Sequence, residues 1–277
     1  MQVIINDKFI KREHAVVSAF NRSFRYGDGF FETMKMIDGE IKLEPLHFER
    51  MFIAHETLLF EKPSFLTASY FREKILALAV KNNHEKAGRI RLMFYRGDGG
   101  LYDVQNHYPN YVIETLPLPN AGNEFNENGL VTDIYLDARK ACDNFSHIKS
   151  NNFLPYTMAA LWAKKNKLND AIILNSHNRI ADATIANIFI VKDGIIKTPA
   201  LSEGCISGVM RRHILDFLRK ENMPVEESVL TADELVSAHE IFFTNAVYGI
   251  RWVKQVGKNE FTQNLSKYLF AKIRNGL

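Results

Sequence analysis

Two stretches carry side chains whose chemistry depends on where the chain puts them. Lys149, in HIKSNN, stands after a strand-like run and before an Asn-rich helix start. A lysine amine can form an imine with an aldehyde or remain a solvated surface charge, and residue type alone leaves both open. Ser207, in SEGCISGVMRRHIL, follows a Gly-containing turn and opens an apolar-patterned helix. That is either an ordinary capped helix or an anion site, where unpaired N–H groups and the positive end of the helix dipole meet a phosphate. Other chemistries lack their motifs. Gly27-Asp28-Gly29 begins like a dinucleotide fingerprint, but the third glycine position is Glu32, and GxxxxGK[ST], HExxH and GxSxG are absent. Nine histidines are dispersed without ligand spacing, so no metal is expected. Arg211-Arg212 reads as a solvated helix face, and Cys142 and Cys205 form neither a disulfide framework nor a metal cluster.

The chain that must position these groups has 277 residues, 46% hydrophobic and 24% charged, a globular composition long enough for one large or two medium domains. A net charge of +3 without a block of five like charges gives no support to nucleic-acid binding. No apolar run approaches a membrane span and the first residues lack a secretory apolar core, so a soluble, cytoplasmic protein is expected. VIIN-DK-FIK and TMKMI-DG-EIKL read as hairpins, the second turned by Asp38-Gly39. Pro45 suits the first turn of a helix through HFERMFIAHETLLF, and a second helix covers residues 66–82. RIRLMFYRG and YVIETLPLP read as strands. After a Pro-, Asn- and Gly-rich stretch come LVTDIYL as a strand, a helix within NFLPYTMAALWAKKN, the strand DAIILN and a hairpin IANIFIV-KDG-IIKTP. Helices at 207–220 and 262–274, a capping box at Thr231 and Glu234, and the strand EIFFTN complete an α/β (α+β) pattern in two unequal parts.

Four segments in order, FRYGDGFFETMKMIDG, LHFERM, HIKSNNFLPYTMAAL and RIADATIANIFIVKDGIIKTPALSEGCISGVMRR, resemble the class IV aminotransferase family across almost the whole chain. The resemblance implies fold type IV, like D-amino-acid aminotransferase: a domain at residues 1–117, a linker at 118–123, and a domain at 124–277 carrying the cofactor lysine. It implies pyridoxal 5'-phosphate between the domains and a homodimer. By family position Lys149 is the Schiff-base lysine. Arg50, the Ile206 and Ser207 backbones, the Ser207 side chain and Asn245 hold the phosphate. Asp182 replaces the usual glutamate beside the pyridine nitrogen, one methylene shorter. Arg96 in FYRGDGG falls where relatives bind a substrate carboxylate. Phe31 and the pair His107-Tyr108 line the site, the pair reaching a partner subunit. Leu154 stands where branched-chain enzymes carry a tyrosine.

The RGDGGLY loop and the FTNAVYGIRWV segment most resemble the 4-amino-4-deoxychorismate lyase branch, which releases pyruvate and the folate precursor p-aminobenzoate. An aminotransferase acting on branched-chain or D-amino acids is the alternative. A noncatalytic vitamin B6-binding member is a remote third.

Overall fold

Residues 1–102, 107–119 and 124–273 are described by the structure, a computed structural model of the chain. Two compact units divide it: Met1–Pro119 with Ile148–Asn152, and Asn120–His147 with Phe153–Leu277. Of the expected linker at 118–123, residues 120–123 lie outside the described residues. No helix among the described residues is long and apolar enough to cross a membrane.

The first unit contains β1 (Gln2–Ile5), β2 (Lys8–Lys11), α1 (Arg22–Tyr26), β3 (Gly29–Ile37), β4 (Glu40–Ile41), α2 (Glu44–Thr57), α3 (Ala68–Asn82), β5 (Ala87–Tyr95) and β6 (Asn110–Pro117). Its strands form one antiparallel sheet in the order β2-β1-β6-β5-β3-β4. Asp38 and Gly39 turn the β3–β4 hairpin at φ of 49° and 78°, the positive values such a turn demands. Pro45 occupies the first turn of α2. Strand alternation then sorts the side chains onto two faces. Phe30, Met34, Leu92 and Phe94 share a core with Met51 of α2 and with Phe71 and Ile75 of α3. The opposite face carries Phe31, Thr33 and Lys35 of β3, in register with Met93, Arg91 and Arg89 of β5. Glu114 of β6 lies opposite Arg91.

The segment Ile148–Asn152 pairs with β3. Phe31 N–H donates to the Lys149 carbonyl at 3.0 Å, and Asn151 N–H donates to the Gly29 carbonyl at 2.9 Å. Gly29 makes this approach possible, because a Cβ there would lie 2.2 Å from the Phe94 carbonyl oxygen and 2.5 Å from Asn151 Nδ2. Sequence order puts the lysine with residues 124–277. Backbone pairing gives it to the first unit instead.

The second unit contains β7 (Leu130–Lys140), α4 (Leu154–Lys165), β8 (Asp170–Asn175), β9 (Ile180–Ala183), β10 (Asn187–Lys192), β11 (Ile195–Pro199), α5 (Val209–Lys220), β12 (Val225–Ser228), α6 (Ala232–Val236), β13 (Glu240–Asn245), β14 (Gly249–Val256), β15 (Asn259–Glu260) and α7 (Asn264–Ile273). The mixed sheet runs β12-β11-β10-β13-β14-β7-β8-β9, with β15 beside β14. Ile172, Ile188, Ile190, Ile241, Phe243 and Val253 form its main core, and Tyr156 and Ala159 of α4 pack on Tyr135, Ala171 and Ile173. The Thr231–Glu234 capping box is formed. The short strand β9 is buried throughout, so it lacks the alternation by which a strand is read from sequence. The helix expected from residue 207 begins at Val209, because Gly208 is an extended N-cap at φ −68° and ψ 133°.

Gly29→Ala is expected to cost about 1–3 kcal/mol in urea unfolding by overpacking this close approach. Amide exchange at Phe31 and Asn151 should accelerate as the segment lifts from β3. Unchanged stability and exchange would contradict the packing described.

Candidate active site

In the first unit the backbone pairing fixes where Lys149 can reach. Its Nζ lies 4.6 Å from the centroid of the buried Phe31 ring, and Arg91 Cζ lies 3.9 Å from the same centroid. Two cations thus rest on one aromatic ring, whose negative face attracts both. The sequence singled out Phe31 and Lys149. It missed Arg91, whose only signal is its register opposite Thr33 in a sheet.

Glu32, one residue along β3, turns to the other face and meets α2. Arg50 donates to it twice, Nε to Oε1 at 2.8 Å and Nη2 to Oε2 at 2.6 Å. His47 Nδ1 is 2.7 Å from Oε2. An ionised carboxylate only accepts, so Nδ1 carries the proton. Burial pushes the Glu32 acid up, but the Arg50 charge and the bonds from His47 and Arg50 outweigh it and bring it down to about 2. Burial drives His47 down, and the Arg50 and Lys149 charges push the same way. Its Nε2 is buried with no hydrogen-bond partner among the described residues. Arg50 is therefore no freely exposed helix arginine: one edge of its guanidinium is committed to Glu32.

Arg96 does not stand open to a substrate carboxylate. It is 7% exposed, donates from Nη1 to Asp28 at 2.6 Å and from Nη2 to the Leu58 and Leu59 carbonyls, and stacks on Phe60. Leu58 is the C-cap of α2, so Arg96 pins a helix end. The His107 carbonyl accepts from Glu61 N–H, and Tyr108 is 57% exposed.

In the second unit Asp182 is the hub. Tyr156 Oη–H donates to Oδ2 at 2.8 Å, Ile206 N–H at 2.9 Å and Lys140 Nζ at 3.4 Å, while Asn187 Nδ2 donates to Oδ1 at 2.9 Å. Burial raises the Asp182 acid, opposed by the Lys140 charge and these bonds. The sequence reading gave Asp182 one task, at a pyridine nitrogen. Here it also ties β9 to the turn before α5, so any further donor must share Oδ1 with Asn187. Lys140, Tyr156 and Asn187 escaped sequence reasoning because they lie 42, 26 and 5 residues from Asp182 and share no spacing.

The anion-binding amides also shift. Ile206 N–H is taken by Asp182, and Ser207 N–H donates to the His147 carbonyl at 2.9 Å, so neither backbone group is open as expected. Asn245 is committed too: its Oδ1 accepts from Val247 and Tyr248 N–H, and its Nδ2 donates to the Ile185 carbonyl. The first amides of α5, at Val209 and Met210, follow an N-cap with no side-chain bond. They keep the unpaired polarity of a helix start. Gly208 presses so close to Asn187 that a Cβ there would lie 1.8 Å from Oδ1. Thr244 pairs directly with Asn187 across β10 and β13, which puts both side chains on one face. Its buried hydroxyl has no hydrogen-bond partner among the described residues.

The amino-transferase class IV family profile matches residues 29–256. A Methanocaldococcus jannaschii protein provisionally named a branched-chain-amino-acid aminotransferase is 30% identical, across 99% of this chain and 96% of its own. The aminodeoxychorismate lyase of Vibrio harveyi is 29% identical across 87% of each chain. Among solved structures, the branched-chain aminotransferase of Thermoproteus uzoniensis superposes with a TM-score of 0.88 at 22% identity, covering 99% of this chain and 94% of the other. The chain therefore shares the fold of that enzyme.

Glu32 is held below its ordinary value of 4.5, so its stabilisation is complete above about 4.5 and is lost as pH falls toward about 2. Urea unfolding should show a loss of about 3 kcal/mol over that window. Glu32→Gln should remove this acid limb and cost about 3–5 kcal/mol at neutral pH by leaving the Arg50 charge without its buried partner. An acid limb persisting in the variant would assign it to other carboxylates.

Proposed function

The chain belongs to the amino-transferase class IV family, whose enzymes depend on pyridoxal 5'-phosphate, and from that premise we propose that it is a 4-amino-4-deoxychorismate lyase. The groups present fit the cofactor. Its aldehyde needs an amine, which Lys149 has. Its phosphate dianion needs N–H and O–H donors, which the start of α5 and the orphaned Thr244 hydroxyl offer. Its ring nitrogen needs a carboxylate, and Asp182 has acceptor capacity left on Oδ1 beside the single bond from Asn187. The bound cofactor supplies an electron sink at the substrate carbon.

The observation that carries the reading is the placement of Lys149, set by two backbone hydrogen bonds to β3 with its amine against the Phe31 ring. In this role Lys149 removes the proton from the amino-bearing carbon. Pyruvate then leaves from the neighbouring position as the ring of p-aminobenzoate becomes aromatic. Glu32 fixes the orientation of Arg50, which serves as a cationic donor to the phosphate. Asp182 holds the Ile206 turn in front of α5, a positioning task that any ring-nitrogen contact adds to.

Transamination is the second reading, favoured by the 30% identical relative that matches over 96% of its own length. Against a branched-chain substrate stands Leu154, 66% exposed, where those enzymes carry a tyrosine. The proposal includes a homodimer. Val16, Phe20 and Phe24 expose large apolar side chains within nine residues, a surface that a second copy would cover. Two free cysteines are consistent with a cytoplasmic setting.

With added pyridoxal phosphate and aminodeoxychorismate, and without any 2-oxo acid, chromatography should show p-aminobenzoate and pyruvate in equal amounts. Lys149→Ala should release neither and should lose the visible absorbance and the borohydride-fixed cofactor adduct. A cofactor-loaded wild type that releases neither product, yet exchanges amino groups between an amino acid and a 2-oxo acid, would replace the lyase with a transaminase.

A further inference from the structure

A single antiparallel bridge, Phe30 opposite Ser150, joins residues 148–152 to β3. Its register sets Lys149 opposite Phe31 and Asn151 opposite Gly29, so both side chains leave the segment on one face. One bridge fixes a distance but leaves the segment free to pivot about it. The Asn151 carboxamide removes that freedom. Its Nδ2 donates to Ser23 Oγ of α1 at 2.9 Å and, at the longer distance of 3.4 Å, to the Phe94 carbonyl of β5. A carbonyl only accepts, so the nitrogen end of the amide must face β5. The carboxamide fills the space that a Gly29 side chain would need.

α1 itself owes nothing to the core. None of its residues is buried, and Phe24 and Tyr26 point outward. Five residues are too few for a helix to persist alone. Polar contacts hold it instead. Asn21 caps its start by accepting from Phe24 N–H and also donates from Nδ2 to the Arg96 carbonyl. Asp28, just past its end, receives Arg22 at 2.9 Å and Arg96 at 2.6 Å. Arg96, which the sequence offered for a substrate carboxylate, thus clamps the helix that carries Ser23.

We propose that Asn151 is the positioning residue of Lys149 and that Ser23, held by the clamped α1, is its fixed partner. This rests on the role given to Lys149 and deepens it. A lysine amine ends a flexible four-carbon stem, so the protein controls chiefly where that stem begins and which way it leaves. A pivot of about 10° at the bridge carries the amine by about 1 Å, a displacement that costs up to about 100-fold in a reaction between held groups. The Ser23–Asn151 bond lies on the far side of the bridge from Lys149 and opposes that pivot.

Two modifications of the full chain, mapped to Lys149 by mass spectrometry, test this. With pyridoxal phosphate and borohydride, Asn151→Ala should slow fixation of the cofactor at Lys149 by about 10- to 100-fold. Ser23→Ala should slow it in the same direction, and the double variant should be no slower than Asn151→Ala, because both changes remove one bond. Ser23→Thr keeps the hydroxyl and should match the wild type. With acetic anhydride and no cofactor, Lys149 should react faster in the alanine variants, approaching the exposed Lys220, as its amine leaves the Phe31 ring. Lys220 itself should react alike in all of them. Ser23→Ala carries the test if Asn151→Ala does not fold. Lys149 rates unchanged in the alanine variants, or losses that add in the double variant, overturn the proposal while leaving the cofactor reading intact. A wild type that fixes no cofactor at Lys149 removes that reading instead, and the acetylation rates then decide whether Asn151 positions the amine.

Discussion

A missing side chain sets the position of Lys149. Gly29 lets residues 148–152 lie directly against β3, where two backbone hydrogen bonds hold them in register. Any Cβ at that position would collide with the Phe94 carbonyl on the adjoining strand and with Asn151. The consequence is topological as well as local. A segment remote in sequence from the first sheet becomes part of it, and Lys149 acquires the Phe31 ring as its neighbour. A lysine on a free loop would sweep several ångströms. One tied on both sides by backbone bonds presents its amine within a narrow range, as a covalent role requires.

Each unit has one buried carboxylate at the centre of its polar contacts, and opposite forces dominate at the two. Glu32 sits under the bidentate guanidinium of Arg50 and the His47 ring, so attraction overcomes desolvation and the acid falls to about 2. Asp182 faces one lysine at the longer distance of 3.4 Å and is otherwise bonded by neutral donors, so burial prevails and its acid rises. The difference follows from donor charge and distance rather than depth, since both side chains are almost fully enclosed. Glu32 locks an arginine onto a helix. Asp182 locks a turn to a strand and so presents the start of α5. Each is a fixed internal anchor, and the groups it orients are the ones that can meet a ligand.

Short-range features were readable from residue order because their causes are local. Asp38-Gly39 and Asp193-Gly194 turn hairpins since their backbone needs positive φ. Thr231 and Glu234 cap a helix reciprocally at a spacing visible in the text. Pro45 starts a helix for want of an N–H. The motif order likewise identified the family, since a chain of motifs survives even where pairwise identity to relatives is near 30%.

Long-range pairing was beyond that reading, and it decided which candidates are available. Arg96 looked like a ligand-binding arginine at a strand end until folding brought Asp28 and the end of α2 onto it. Ile206 and Ser207 looked like phosphate amides until Asp182 and the His147 carbonyl took their N–H groups, leaving the open donors at Val209 and Met210. Arg91 carried no motif at all and became conspicuous only when sheet register set it against Phe31 beside Lys149. Residue order determined the local conformations and the family, because these depend on neighbours in the chain. Tertiary structure decided which polar groups remain free to bind, because a donor's availability depends on partners that only folding brings within reach.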